Sequence, residues 1–112
     1  MGEKLIHNDR EPLAQLSNRN VEFYKFTRIV RAHIDNYTVP QYGDAPDDEV
    51  EGWTAEMCVA AIQKYTKRFG SARRGRLEEL RDLVKIAHFA AITFWKILPS
   101  EEEIEKIERG KI

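Results

Sequence analysis

The sequence predicts an all-α protein, with a three-helix antiparallel core, a long central third helix and a short C-terminal fourth helix. Proline and glycine occur only between or outside three long stretches, 13–39, 53–69 and 76–98. Because proline costs a helix interior about 3 kcal/mol and glycine about 1 kcal/mol, this distribution favours a helix in each stretch. Apolar residues recur there at steps of three and four, and no strand-like alternation of useful length occurs.

The first stretch predicts a helix that ends before Pro40. Ser17 or Asn18 can cap its start, since a short polar side chain accepts a hydrogen bond from a free backbone N–H. An acidic loop rich in proline and glycine is predicted at 38–52, and residues 1–12 are predicted to be flexible. The apolar face of this helix comprises Phe23, Phe26, Val30, His33, Ile34 and Tyr37.

The second stretch predicts a helix that begins after an N-cap at Thr54 and stops at Gly70, a left-handed C-cap. The third stretch carries two adjacent apolar stripes, which predict a central helix covered on more than half of its circumference. One stripe is Leu77, Leu80, Val84, Ala87, Ala91, Phe94 and Leu98; the other is Leu83, Ile86, Ala90 and Ile97.

A short fourth helix is predicted after Pro99. Ser100 and Glu103 have the spacing of a capping box, in which each side chain accepts a hydrogen bond from the backbone N–H of the other residue. With 112 residues, of which 42% are hydrophobic, the chain is expected to form one helical domain over 1–112.

The composition excludes several classes of protein. Eighteen Lys and Arg residues against nineteen Asp and Glu residues give a net charge of -1, which argues against a generally basic nucleic-acid coat. The single cysteine, Cys58, excludes an internal disulfide and a cysteine-rich zinc site. No apolar run approaches the ~18 residues of a membrane span, and the first residues lack a signal-peptide core. We therefore expect a cytoplasmic protein without membrane contact.

Three acidic residues open the third helix, and they are candidate metal ligands: Glu78, Glu79 and Asp82. Glu79 and Asp82 are three residues apart and share one face, so their carboxylates can hold a Mg²⁺ with its waters. The alternative is that these acids only complement the dipole at the start of the helix.

A run of cations without an acid extends from Lys64 to Arg76. Arginines beside the N–H groups of a helix start form a site for an anion such as phosphate. The glycine spacing matches neither a P-loop nor a dinucleotide fingerprint, and a solvated basic turn is the alternative. The candidate phosphate-binding residues are Lys64, Arg68, Arg73, Arg74 and Lys85.

His33 and His88 each lie beside an apolar face, which is typical of packed core histidines. Lys85, one turn before His88, leaves phosphate contact or proton transfer as the alternative. Three aromatic residues flank the acidic loop and either frame a flat ligand such as a nucleobase or pack the loop onto the bundle. They are Tyr37, Tyr42 and Trp53.

Two segments, 62–70 and 80–89, contain Lys64-Tyr65-x-x-Arg68 and Asp82-Leu-x-Lys85. Together they resemble a small bacteriophage domain family that carries a Lys-Tyr-x-x-Arg element, a basic turn and an Asp-Leu-x-Lys-Ala-type helix. The resemblance covers about thirty residues. It implies a phage or prophage origin. The function of that family is mostly unassigned, although a phage nucleotide kinase contains a related domain.

The Glu79-x-x-Asp82 pair on a central helix is similar to the second half of the motif of MazG-like all-α nucleotide pyrophosphohydrolases. Those enzymes hold Mg²⁺ with carboxylates from two antiparallel helices and cleave nucleoside triphosphates. The first half of the motif, Glu-x-x-Glu on the preceding helix, is missing, because Glu56 is followed three residues later by Val59. The resemblance implies Mg²⁺ as a cofactor.

We predict a phage-type helical domain that handles nucleotides or other phosphorylated small molecules, with Mg²⁺-assisted diphosphate cleavage if it is an enzyme. The alternative is a non-enzymatic interaction module that binds protein or nucleic acid through its basic end. Convergence of Glu79, Asp82 and an acid from 44–51 on one cavity favours the enzyme, and separate positions favour the module. A third helix this apolar is hard to cover within one chain, so we also expect a homodimer.

Overall fold

The computed structural model describes residues 15–71 and 75–111, and within these ranges the chain forms helices and short connections without a strand. Helix α1 consists of Asn18–His33, a π-helical segment at Ile34–Thr38 and a last α-helical turn at Val39–Tyr42. A 3₁₀ turn at Glu49–Gly52 precedes α2, Ala55–Arg68. Helix α3 is Gly75–Lys96, and α4 is Glu101–Glu108.

The predicted all-α fold, with a long third helix and a short fourth, is confirmed. The segment predicted to be flexible, 1–12, lies outside the described residues.

The predicted helix caps are present. Ser17 and Thr54 each accept a hydrogen bond from the backbone N–H three residues further on, at 3.1 Å. At α4, Ser100 Oγ accepts from the Glu103 N–H at 3.1 Å while Glu103 Oε1 accepts from the Ser100 N–H at 2.9 Å. Gly70, directly beyond α2, has a φ of +85°, the left-handed conformation that favours glycine at a helix end.

The first helix ends later than the sequence predicts. It continues through Pro40 to Tyr42, so the acidic loop begins only at Gly43. The π-helical segment explains the continuation, since the Val39 N–H bonds to a carbonyl five residues back. The ordinary α-helical pattern is thus interrupted before Pro40, and the proline, which has no N–H to donate, lies in the first turn of a new α-helical segment.

An antiparallel hairpin of α2 and α3 forms the centre of the fold, and α1 packs against α3. The start of α2 lies near the end of α3, where the Trp53 ring stacks on Phe89 with 6.0 Å between centroids. The end of α2 lies near the start of α3, where Arg68 and Asp82 form an ion pair. The predicted antiparallel arrangement of the second and third helices is therefore present.

Full burial is rare among the described residues and is limited to Cys58 on α2 and to Asp82 and Val84 on α3. Helix α3 therefore contributes most to the centre, as expected. The described residues do not cover both apolar stripes of this helix fully, since Leu83 is 40% and Ile97 is 65% exposed. Among all the residues that the structure describes, no helix is both long and apolar enough to cross a membrane.

Candidate functional site

A cavity of about 760 Å³ lies between the π-helical segment of α1, the acidic loop and α3. Six of its lining residues carry a Phe, Tyr or Trp ring: Tyr37, Tyr42, Trp53, Tyr65, Phe89 and Trp95. Pockets of roughly 300–1,000 Å³ with apolar walls and a few polar groups are typical binding sites for small molecules. We call this site the aromatic cavity.

The aromatic rings of the cavity hold one another in place. Trp53 and Phe89 are nearly parallel, with an interplanar angle of 12°. Tyr37 meets Tyr42 edge to face, with 6.3 Å between centroids. Hydrogen bonding to the Tyr37 side chain raises the pKa of Tyr42, so its hydroxyl stays protonated at neutral pH. The cavity therefore offers ring faces and protonated hydroxyls to a ligand.

His33 lies where α1 passes into the π-helical segment, and its ring stacks on Tyr37 with 4.8 Å between centroids. Both of its ring nitrogens are buried without a hydrogen-bond partner among the described residues. Burial lowers the pKa of His33, and the positive charges of Lys85 and Arg81 lower it further. The imidazole is therefore neutral at pH 7, with one nitrogen as a donor and the other as an acceptor. Leaving such a group unpaired costs about 1–3 kcal/mol, which a bound ligand can recover.

Lys85 lines the same cavity. Its ammonium lies 5.8 Å from the centroid of Tyr37 and 5.4 Å from that of Tyr65. Within the described ranges Lys85 forms no ion pair with a carboxylate. An ammonium without a counter-charge beside aromatic rings is a suitable anchor for an anionic group.

The acidic loop lies against the other side of the cavity. Asp48 Oδ1 accepts from the Glu51 N–H at 3.0 Å, and Asp44 Oδ1 accepts from the Ala45 N–H at 2.9 Å, so both carboxylates hold the turns of the loop. Burial lowers the pKa of His88, and His33 lowers it further, while the negative charge of Asp48 opposes them.

The five positions that carry the phage-family resemblance come together around one ring. Lys64, Arg68 and Lys85 lie 5.4, 5.0 and 5.4 Å from the centroid of Tyr65. Arg68 Nη2 donates to Asp82 Oδ1 at 2.9 Å, which ties α2 to α3. We call this group the Tyr65 cluster. Of its three candidate phosphate-binding residues only Lys85 lines the cavity, whereas Lys64 and Arg68 face the surface of α2. Arg73 and Arg74 lie outside the described residues.

Each candidate metal ligand already has a partner in the protein. Asp82, only 1% exposed, is in the ion pair with Arg68. Glu79 Oε2 accepts from the Gly70 N–H at 3.1 Å, and Glu78 Oε2 pairs with Arg81 Nη1 at 2.7 Å. None of the three acids lines the aromatic cavity. Among the described residues, no group of three or more His, Cys, Asp or Glu side chains is placed to hold a metal ion.

The sequence predicts only part of this site. Tyr37, Tyr42 and Trp53 are singled out by their position beside the acidic loop, and all three line the cavity. Phe89 and Trp95 are missed, because aromatic residues at helical spacing indicate core packing as readily as a pocket. His33 is missed as a site residue for the same reason. The signal that could have found it is its position four residues before Tyr37, on the same face of the helix.

Comparison with known proteins gives no relative: no family model, no curated protein and no solved structure matches this chain. The resemblances to the phage domain family and to the MazG-like enzymes stay predictions.

Proposed function

We propose that this domain binds a nucleotide, or a similar small molecule with a planar ring and a phosphate, in the aromatic cavity. One observation carries the proposal. The imidazole of His33, whose two ring nitrogens are buried, and the ammonium of Lys85 line a cavity that also contains six Phe, Tyr and Trp rings, and neither has an ionic or hydrogen-bonding partner among the described residues.

The aromatic walls suit a nucleobase. Stacking of a base on an aromatic side chain contributes about 1–3 kcal/mol and tolerates any base, because every base has a π-face. Carboxylates accept hydrogen bonds from hydroxyl groups, so the acids of the loop that line the cavity, Asp48 and Glu49 among them, suit the ribose.

The phosphate belongs near Lys85 and His33, where it would meet a positive charge and an N–H donor. Lys64 lies beside the Tyr65 ring but does not line the cavity, so it adds positive charge only at longer range. The carboxylates of the acidic loop repel further negative charge, so the cavity favours a monophosphate over a triphosphate.

Binding without hydrolysis fits this arrangement better than cleavage. Glu79 and Asp82 do not line the cavity, whereas acids of 44–51 do, so these carboxylates are not gathered around a common ligand. Mg²⁺ at Glu78, Glu79 or Asp82 would have to compete with the contacts that these carboxylates make. The predicted role of Mg²⁺ remains a proposal, and titrations with and without Mg²⁺ test it.

Titration calorimetry on the full chain tests the proposed function, with the four common nucleoside monophosphates and their nucleosides as ligands. We expect monophosphates to bind more tightly than nucleosides. Lys85→Met should weaken monophosphate binding about tenfold or more and leave nucleoside binding nearly unchanged, since a charged hydrogen bond is worth about 1.5–3 kcal/mol. Lys67→Met, an exposed lysine outside the cavity, is the matched control. A wild-type chain that binds no nucleotide at millimolar concentration would refute the proposal.

A second candidate function is the interaction module. A shallow depression on the surface of α2 is lined by Lys64, Lys67 and Arg68 together with Gln63 and Thr66. Such a basic helix face suits an acidic peptide or a nucleic-acid backbone. Under this function Lys67→Met weakens binding of a single-stranded oligonucleotide or an acidic peptide, and Lys85→Met does not.

A further inference from the structure

One side of α3 carries an apolar stripe that the described residues leave partly exposed and that does not line the aromatic cavity. Its members are Leu80, Leu83, Ala87, Ala90, Phe94 and Ile97, which we call the α3 seam. Leu80, Leu83 and Ile97 are 47%, 40% and 65% exposed. The residues of α3 that line the cavity, such as Lys85, Phe89 and Ile92, lie on the other side of the helix. A partner on the seam would therefore leave the cavity open.

The spacing of the seam indicates that its partner is a helix. Its six residues follow one another at steps of three, four, three, four and three, which is the heptad pattern of helices that pack side by side. No charged or polar residue interrupts it. A single helix laid along α3 would cover the seam over its whole length.

The seam is also complementary to itself when it is turned end for end. About a midpoint between residues 88 and 89, Leu80 corresponds to Ile97, Leu83 to Phe94 and Ala87 to Ala90. We infer that α3 pairs with α3 of a second copy of this chain in antiparallel orientation about a two-fold axis at this midpoint. In this dimer each residue of the seam packs against the residue to which it corresponds in the second copy. The small alanines at the centre let the two helices approach closely.

The helix dipoles favour this orientation. In an antiparallel pair the positive start of each α3 lies beside the negative end of the other, whereas a parallel pair would bring together the like ends of two helix dipoles. The charged residues at the start of the seam are of both signs, Arg76 and Glu79 among them, and do not select an orientation.

Light scattering on the wild-type chain gives the first test. At tens of micromolar we expect a mass close to twice the 13.1 kDa of one chain. Leu83→Glu should raise the dissociation constant of the dimer at least about 30-fold, as substitutions at the centre of an interface do. The matched control is Ile29→Glu on α1, since Ile29 is 58% exposed and lies outside the seam. A monomeric wild-type chain, or equal effects of the two variants, would overturn the inference.

Cysteine cross-linking tests the orientation and does not depend on a disruptive charge. The double variant Leu83→Cys/Phe94→Cys should oxidise to a covalent dimer, because each new cysteine faces the other type in the second copy. The single variants Leu83→Cys and Phe94→Cys should not cross-link alone but should do so when mixed. The natural Cys58 is buried and does not interfere. Cross-linking of Leu83→Cys alone would show a parallel pair and overturn the antiparallel arrangement.

Discussion

The turn end of the α2–α3 hairpin and the aromatic cavity treat their polar groups in opposite ways. At the turn end, Asp82 pairs with Arg68, Glu78 pairs with Arg81, and Glu79 accepts from the Gly70 N–H. In the cavity, the buried nitrogens of His33 have no partner among the described residues. The difference separates residues that hold the hairpin together from residues that are available to a ligand.

Energetics explain why both arrangements persist. A carboxylate as buried as Asp82 is costly unless it is paired, so the Arg68 guanidinium, which also lies over the Tyr65 ring, is needed there. The pairing is incomplete at one atom, since Arg68 Nε is buried without a hydrogen-bond partner among the described residues. In the cavity, the ring nitrogens of His33 that lack partners lower the stability of the fold. Functional sites commonly give up stability in this way.

The largest effect on this comparison should come from Arg68→Met. This substitution removes a cationic partner of a carboxylate that is only 1% exposed, so we expect the free energy of unfolding to fall by about 3 kcal/mol. Urea unfolding followed by circular dichroism measures it. The double variant Arg68→Met/Asp82→Leu should recover most of the loss, because it removes the buried charge as well.

Arg109→Met is the matched control for the hairpin. Arg109 pairs with Glu105 at 3.2 Å, but both side chains are more than half exposed, so the loss should stay below about 0.5 kcal/mol. If Arg68→Met costs no more than Arg109→Met, the ion pair does not hold the hairpin and the contrast with the cavity fails.

An effect of opposite sign is expected in the cavity. His33→Phe keeps a ring that can stack on Tyr37 but removes two buried nitrogens without partners, so it should stabilise the fold by up to about 1 kcal/mol. The same variant should bind nucleoside monophosphates more weakly. Urea unfolding and calorimetry on one preparation measure both. A destabilised His33→Phe chain would indicate that His33 serves the fold rather than a ligand.

Much of the fold could be predicted from the sequence because its signals are local. Caps such as Ser100 and left-handed stops such as Gly70 depend on a few neighbouring residues. The π-helical segment could not be predicted in this way, since Pro40 ordinarily indicates the end of a helix. The sequence did indicate that α3 carries more apolar surface than one chain can cover. It could not show which side of the helix stays exposed, because an apolar stripe has the same pattern whether it faces the core or a second chain.

The candidate site was harder to predict, since it depends on which charges the fold neutralises. Glu79 and Asp82 have the spacing of metal ligands. In the folded hairpin, however, Glu79 accepts a hydrogen bond from the Gly70 N–H and Asp82 forms an ion pair with Arg68. In sequence, Lys85 cannot be told from a solvated lysine. The packing of α1 and α2 against α3 places it beside Tyr37 and Tyr65. Sequence spacing identified the residues of the Tyr65 cluster, but it could not tell which of them lie in a cavity.

The smallest expected effect is a pH dependence of stability that comes from the histidines of the cavity. Burial, together with Lys85 and Arg81, lowers the pKa of His33, and burial together with His33 lowers that of His88, against the opposing charge of Asp48. On acidification the unfolded chain therefore takes up protons at these histidines before the folded chain does. The stability that the neutral imidazoles provide is fully present above the unfolded pKa of about 6.5 and is lost as the pH falls through the lower folded values.

Urea midpoints between pH 5 and pH 8 measure this dependence, and the difference between wild type and His88→Gln isolates it from the titration of the carboxylates. The wild type should lose stability below pH 6.5 more steeply than His88→Gln, because the variant has one fewer imidazole to protonate on unfolding. Both imidazoles are only partly buried, so this effect should be smaller than that of His33→Phe.

Nucleotide binding should change the stability of the wild type in the same pH range. A phosphate beside Lys85 offsets the positive charge that lowers the pKa of His33. Saturating nucleoside monophosphate should therefore reduce the loss of wild-type stability below pH 6.5. If the wild-type curve without nucleotide runs parallel to that of His88→Gln, burial does not lower the pKa of His88 in the folded chain, and the proposed environment of the cavity histidines is contradicted.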